Sequence, residues 1–172
     1  NGVANDFHFV HYTSRAQGGV GLIIVEATGV EPKGRITEKC LGLWNNEQEK
    51  SLKRIVDFIH QNTDTKMGIQ LAHAGRKAST WNGVQIPISD GGWQTLVPSP
   101  IPYKPNEEVP KEISISEIQE IVTYFKTSSE RAINAGFDVV EIHAAHGYLL
   151  HQFLSPKSNV RTDKYGGSFE NR

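Results

Sequence analysis

Two histidines and a tyrosine stand within six residues, His143-Ala144-Ala145-His146-Gly147-Tyr148, directly after a short β-branched run, Asp138-Val139-Val140-Glu141-Ile142. Imidazole and phenol groups donate hydrogen bonds, so the three together make a site for a polar oxygen. The run before them follows a helix stop at Ala135-Gly136 and reads as a buried parallel strand. The histidines then lie at its C-terminal end, the end where α/β folds carry their chemistry.

The elements that position them form an αβ-αβ-αβ series. A first helix over residues 4–17 carries Phe7, Val10, His11 and Ser14 on one face and stops at Gly18-Gly19, before a strand over residues 20–27. Asn45 and Gln48 form a capping box for a second helix with the stripe Leu52, Ile55, Val56 and Ile59, leading to a strand over residues 66–72. Ser114 and Glu117 cap a third helix, carrying Ile118, Ile121, Val122 and Phe125, before the strand that holds Glu141. This order implies a parallel sheet. Residues 75–111, rich in proline and glycine, are expected to form a loop over the active face, with a short hairpin at residues 93–97.

Strand alternation gives the sheet its shape. Glu141 and His143 share one face against Val140 and Ile142; Gly68, Gln70 and Ala72 oppose Ile69 and Leu71; Ile24 and Glu26 oppose Ile23 and Val25. Each strand thus brings one polar residue, Glu26, Gln70 or His143, to one face near its C-terminal end. A doubly wound sheet buries both faces with apolar groups. A sheet curled into a barrel collects such residues at the mouth of its lumen, and a barrel is the expectation here.

Composition bounds the rest. The 172 residues are 37% hydrophobic with a net charge of −1, enough for one core and without the charge bias that marks nucleic-acid or anionic-membrane partners. No apolar stretch approaches the roughly 20 residues of a membrane helix, so a soluble cytoplasmic protein is expected. Cys40 is the single cysteine and reads as a solitary loop thiol. The sequence starts at Asn1 and stops at Arg172, where a further helix is expected, and it reads as a piece of a longer chain.

His143-Ala144-Ala145-His146-Gly147-Tyr148-Leu149, followed by Gln152-Phe153-Leu154-Ser155-Pro156, Asn159-x-Arg161-x-Asp163-x-Tyr165-Gly166-Gly167-Ser168 and Glu170-Asn171-Arg172, resembles the signature of the old yellow enzyme family of NADH:flavin oxidoreductases. Ile24-Val25-Glu26-Ala27, Gly34-Arg35-Ile36 and Gln70-Leu71-x-His73-Ala74-Gly75-Arg76 resemble the second and third barrel strands of that family. The His-x-x-His pair is similar to the branch with bacterial ene-reductases and xenobiotic reductases. The resemblance implies one partial domain, residues 1–172, of a (β/α)8 TIM barrel, covering about strands 2 to 4. The first strand, with its cysteine near the flavin, and the later strands that hold the flavin phosphate would lie outside it.

The resemblance also implies FMN as cofactor and NADH or NADPH as reductant. Such enzymes add hydride to the β-carbon of an activated alkene and a proton to the α-carbon. His143 and His146 would then bind the substrate's carbonyl or nitro oxygen, a role commonly worth about 3–4 kcal/mol per donor. Tyr148 would be the proton donor. Gln70, with both a donor and an acceptor, would meet the flavin's pyrimidine edge, and the small Ala27 would let backbone approach the ring. The partners implied are small molecules, with the full-length protein a homo-oligomer.

Plainer roles are expected for the other polar residues. Glu26 and Glu141 read as structural ion pairs, His73 and Arg76 as loop packing, His151 as a helix-surface residue, and Arg161, Asp163, Tyr165 and Gly166-Gly167 as a loop brace. Two other functions stay open. One is a barrel metal hydrolase using His143, His146 and a third ligand such as His73 or Glu141, discriminated by bound metal without flavin. The other is a non-catalytic binding module or assembly fragment, discriminated by failure to hold flavin.

Overall fold

The computed structural model describes residues 2–172, and each of its three long helices starts at a reciprocal side-chain cap. Helix α1 (Asp6–Gln17) is opened by Asn5 and His8, a box absent from the sequence reading because His is not a usual partner at that position. The expected stripe on α1 is corrected: Phe7 and Val10 are exposed, whereas Tyr12 and Ala16 enter the core and Phe9 packs against it. Both faces of α1 carry apolar residues at helical spacing, so the spacing alone does not decide which one meets the core.

Strand β1 (Leu22–Gly29) follows, then α2 (Asn46–Asn62), whose box is the expected Asn45 and Gln48. Leu52, Ile55, Val56 and Ile59 are all almost fully buried, as their spacing predicts. Strand β2 (Lys66–Ala72) runs parallel to β1, with Ile24 beside Gly68 and Val25 beside Ile69. It is the central strand, which is why Met67, Ile69 and Leu71 are wholly enclosed.

Residues 75–111 are more ordered than a bare loop. The hairpin lies at β3 (Thr80–Trp81) and β4 (Val84–Gln85), not at residues 93–97. Asn82 and Gly83 form its turn at φ 50° and 75°, the left-handed pair that an Asn-Gly hairpin requires. Within the expected hairpin, β5 (Leu96–Val97) instead pairs in parallel with β6 (Lys111–Glu112). The Arg35 guanidinium lies 5.6 Å from the Trp44 ring and 5.2 Å from that of Trp93, and Trp93 Nε1 donates to the Lys33 carbonyl. The segment is thereby pinned to the loop after β1.

Helix α3 (Ile115–Ala135) starts at the Ser114–Glu117 box and stops at Gly136, whose φ of +92° suits glycine. Its Ile118 and Ile121 are buried, but Val122 lies 58% exposed, outside the expected stripe. Strand β7 (Val139–Ile142) then pairs in parallel with β2, giving the sheet order β1-β2-β7. The short helix α4 (Leu149–Leu154) follows the His143–Tyr148 loop, and the expected terminal helix is a single 3-10 turn, Phe169–Asn171. No helix among the described residues is long and apolar enough to cross a membrane.

Candidate active site

The His143–Tyr148 loop grows out of β7. His143 N donates to the Leu71 carbonyl at 2.9 Å, so the histidine still sits in strand register beside β2. The chain then turns through His146 and Gly147, at φ 56° and 74°, a left-handed pair unfavourable for the histidine. Tyr148 closes the turn and starts α4.

This turn gathers three rings. His143 meets His146 edge-on at 5.1 Å between centroids and Tyr148 edge-on at 4.8 Å. His143 is 8% exposed, and its Nδ1 accepts from Ala145 N at 3.2 Å. A neutral imidazole that accepts at Nδ1 carries its proton on Nε2 and presents it as a donor. Burial holds the His143 pKa below the usual histidine value, and the neighbouring His146 adds to the effect. Burial, with Cys40 and Tyr103 nearby, raises that of Tyr148, so the phenol keeps its proton.

The other two candidates meet on the sheet. Ile69 pairs with Val25 and Leu71 with Thr28, leaving Glu26 and Ala27 together opposite the single residue Gln70. Strict alternation would send Ala27 to the helix side; this bulge brings it level with Gln70. Gln70 Nε2 donates to Glu141 Oε1 at 2.5 Å, which directs the amide oxygen away from that pair. Below them Ile24, Gly68 and Val139 stand side by side in the parallel register. A Cβ on Gly68 would lie 3.3 Å from Ile24 and 3.4 Å from Val139.

These residues fit a flavin: a small residue at a bulge stands beside an amide whose nitrogen is engaged by Glu141, which leaves the amide oxygen to accept. Gln70 and Ala27 are the groups that would hold FMN. His143, His146 and Tyr148 form a separate cluster at the end of the neighbouring strand.

Glu141 corrects the expectation of an ion pair, since its partner is the Gln70 amide. Glu26 approaches His8 at 3.9 Å, a half-exposed contact of little energetic weight. His73 packs as expected, with Nε2 at 2.9 Å from Glu31 Oε1 and Nδ1 accepting from Gly75 N. Both its nitrogens are thus engaged. Among the described residues no group of three His, Cys, Asp or Glu side chains is placed to hold a metal ion.

Three residues have site roles that the sequence reading did not give them. His151 is exposed, yet its Nδ1 accepts from Gly147 N at 2.7 Å and braces the turn. Buried Gln152 donates to the Gly147 carbonyl and accepts from Arg76 N, joining the loops after β2 and β7. It packs so tightly on Gly75 that a Cβ there would fall 2.4 Å from the amide. Lys77 Nζ donates to the His146 carbonyl at 2.8 Å. Their signal lay in the i, i+4 spacing of Gly147 and His151 and in the two cations after His73-Ala74-Gly75.

Parallel strands that carry polar groups at one set of ends define an α/β protein with its site at the carboxyl ends of the sheet. The sequence matches the NADH:flavin oxidoreductase / NADH oxidase family over residues 1–172. It is 54% identical over 172 residues to an NADPH dehydrogenase of Listeria innocua and 48% identical over 171 residues to one of Clostridium acetobutylicum. An NADH:flavin oxidoreductase of Gibberella zeae is 50% identical over 180 residues. These alignments cover 100%, 99% and 100% of this chain and 47%, 47% and 43% of the relatives. Morphinone reductase superposes with a TM-score of 0.85 at 31% identity, over 99% of this chain and 47% of that one. A structure of the same reductase with tetrahydroNAD gives 0.85 at 32%, over 99% and 49%.

The chain belongs to the NADH:flavin oxidoreductase / NADH oxidase family, the old yellow enzyme family of the sequence resemblance. It spans about half the length of the curated relatives it matches. Its sheet is part of a (β/α)8 barrel, with β1, β2 and β7 as about the second to fourth strands. FMN and a nicotinamide reductant are the cofactors of this family.

Proposed function

We propose that the full-length protein containing this chain is an FMN-dependent NAD(P)H oxidoreductase that reduces activated C=C bonds, those of enones and nitro-activated analogues, with residues 1–172 forming part of a single barrel domain. The observation that carries the reading is the His143 ring held between His146 and Tyr148, with its Nε2 proton directed by the Ala145 contact.

FMN, bound in the full-length protein and reduced by the nicotinamide, would supply the hydride for the alkene's β-carbon. His143 and His146 donate to the carbonyl or nitro oxygen, which becomes negative as the β-carbon is reduced. A neutral donor, as His143 is with its lowered pKa, suits this oxygen, because the bond strengthens as charge develops. Tyr148 gives its proton to the α-carbon and regains one from water. Its raised pKa keeps the phenol protonated at neutral pH, and the enolate carbon is basic enough to take the proton. Gln70 would hold the cofactor's edge through its amide oxygen, and Ala27 would keep the approach clear. The substrates are small molecules, and a cytoplasmic homo-oligomer belongs to the same proposal.

The test is a visible spectrum of the full-length protein before and after adding a para-substituted phenol. A flavin band that gains a long-wavelength charge-transfer tail is expected. His143→Ala or His146→Ala should weaken that phenol by about 100-fold, the scale of one oxyanion donor. Tyr148→Phe should slow re-oxidation by enones while sparing reduction by the nicotinamide. Unchanged enone turnover in Tyr148→Phe would remove the tyrosine from the proton step.

A further inference from the structure

A cavity of about 360 Å³ lies between the loop after β1, the turn after β2 and the segment around Tyr103, and it reaches Tyr148. Its charge is unbalanced. Arg76, Lys77 and Lys104 line it against one carboxylate, Glu107. That carboxylate is already engaged: Lys104 N donates to Glu107 Oε2 at 3.1 Å, and Lys104 Nζ lies 4.0 Å from Oε1.

The other two cations have no carboxylate in ion-pair contact among the described residues. Arg76 Nη1 donates to the carbonyls of Ile101 and Pro102 at 3.3 Å each, and its Nε is buried with no partner. Burial accordingly lowers the Arg76 pKa from its usual value. Lys77 Nζ spends one N–H on the His146 carbonyl and lies 4.8 Å from the Tyr103 ring centroid and 5.2 Å from that of Tyr148. An ammonium has three donors, so two remain to face the cavity. Ring faces moderate a cation but do not neutralise it, and a partly buried cluster with excess positive charge favours an incoming anion.

We propose that this cavity is an anion-accepting arm of the substrate site, with Lys77 as its principal contact and Lys104 at its rim. The group it takes is a carboxylate or phosphate on a bound small molecule, either a substituent of the alkene or the 2′-phosphate of NADPH. The tyrosine walls suit a flat ring between the anion and the reacting bond. The inference rests on the alkene-reductase reading above and narrows its substrate class.

The test uses the full-length, flavin-loaded protein. Cinnamaldehyde and 4-carboxycinnamaldehyde share the reacting enal and differ in one remote charge. The carboxylated enal should be preferred about tenfold in kcat/KM, an effect that weakens with salt. Lys77→Met should abolish the preference, Lys104→Met should reduce it, and Lys104→Arg should retain it. Because Lys77→Met also releases the His146 carbonyl, both enals slow, and the ratio between them isolates the charge. If instead the NADPH-over-NADH ratio falls in Lys77→Met while the enal ratio stays constant, the anion is the reductant's phosphate. If neither ratio moves in either methionine variant, the proposal is overturned. Should neither enal re-oxidise the wild-type protein, the alkene-reductase reading fails on its own; calorimetric titration of the oxidised protein with the two enals then tests the anion site without turnover, and equal affinities overturn it.

Discussion

Gln70 and Glu141 stand opposite each other in the parallel register of β2 and β7, and the Gln70 amide nitrogen donates to the Glu141 carboxylate at 2.5 Å. A glutamine amide can present either end to a ligand. The carboxylate removes that freedom, because it can only accept, and so it points the amide oxygen outward.

Glu141→Leu should therefore leave the fold intact and lower FMN affinity of the full-length protein. A hydrogen bond that fixes orientation is worth roughly 1 kcal/mol, so the loss should be about fivefold. Fluorescence titration of the apoprotein with FMN measures it. An unchanged dissociation constant would mean that the amide is oriented by something else.

His143 makes a prediction about protonation. Its folded pKa is depressed by burial and then by His146, so the unfolded chain takes up this proton first as pH falls. Above about 6.5 the residue is neutral in both states and contributes no pH dependence. As pH drops below that value, stability should decline until the folded ring also titrates. Imidazole ¹⁵N NMR of the full-length protein should find His143 protonated at Nε2 and unprotonated at Nδ1, with its titration midpoint below 6.5. In His146→Ala the midpoint should move upward. A midpoint that stays put would assign the depression to burial alone, and protonation at Nδ1 would reverse the tautomer.

How far the sequence could be read depended on whether a signal was local. The caps at Asn45 and Ser114 and the stripe on α2 follow from spacing within a few residues, and all are present. Placing Gln70 and His143 on one sheet face needed only strand alternation. The bulge that brings Ala27 opposite Gln70 breaks that alternation and depends on pairing between two strands, which no single segment encodes. The Glu141 partner was misread for the same reason: its cross-strand neighbour is 71 residues away. The hairpin is a different kind of miss. Asn82-Gly83 is a local turn signal, whereas residues 93–97 carry no such pair and instead meet β6 in parallel. Lys77 became visible only when the loops after β2 and β7 came together.

Arg161 ties the end of the signature to the rest of the molecule. Its guanidinium, in a residue 8% exposed, donates to both Asp163 oxygens, to Glu112 and to the carbonyls of Pro98 and Ile113. It thus joins the loop after α4 to the ends of the β5–β6 pair, as the loop brace expected from sequence. Replacing it with methionine strands those acceptors; because the Asp163 and Glu112 carboxylates stay partly exposed to water, the cost is mainly that of losing buried carbonyl contacts, about 1–3 kcal/mol. Arg161→Met should lower the urea midpoint of the full-length protein accordingly at pH 7. The arginine also holds the Asp163 pKa below its usual value. A carboxylate depressed in the folded state contributes stability above its unfolded pKa of about 3.9 and loses that contribution as pH falls through the folded value. The difference between wild type and Arg161→Met should therefore narrow on going from pH 7 to below pH 3.9. A constant difference across that range would assign the cost to lost carbonyl contacts and packing rather than to the Asp163 pair.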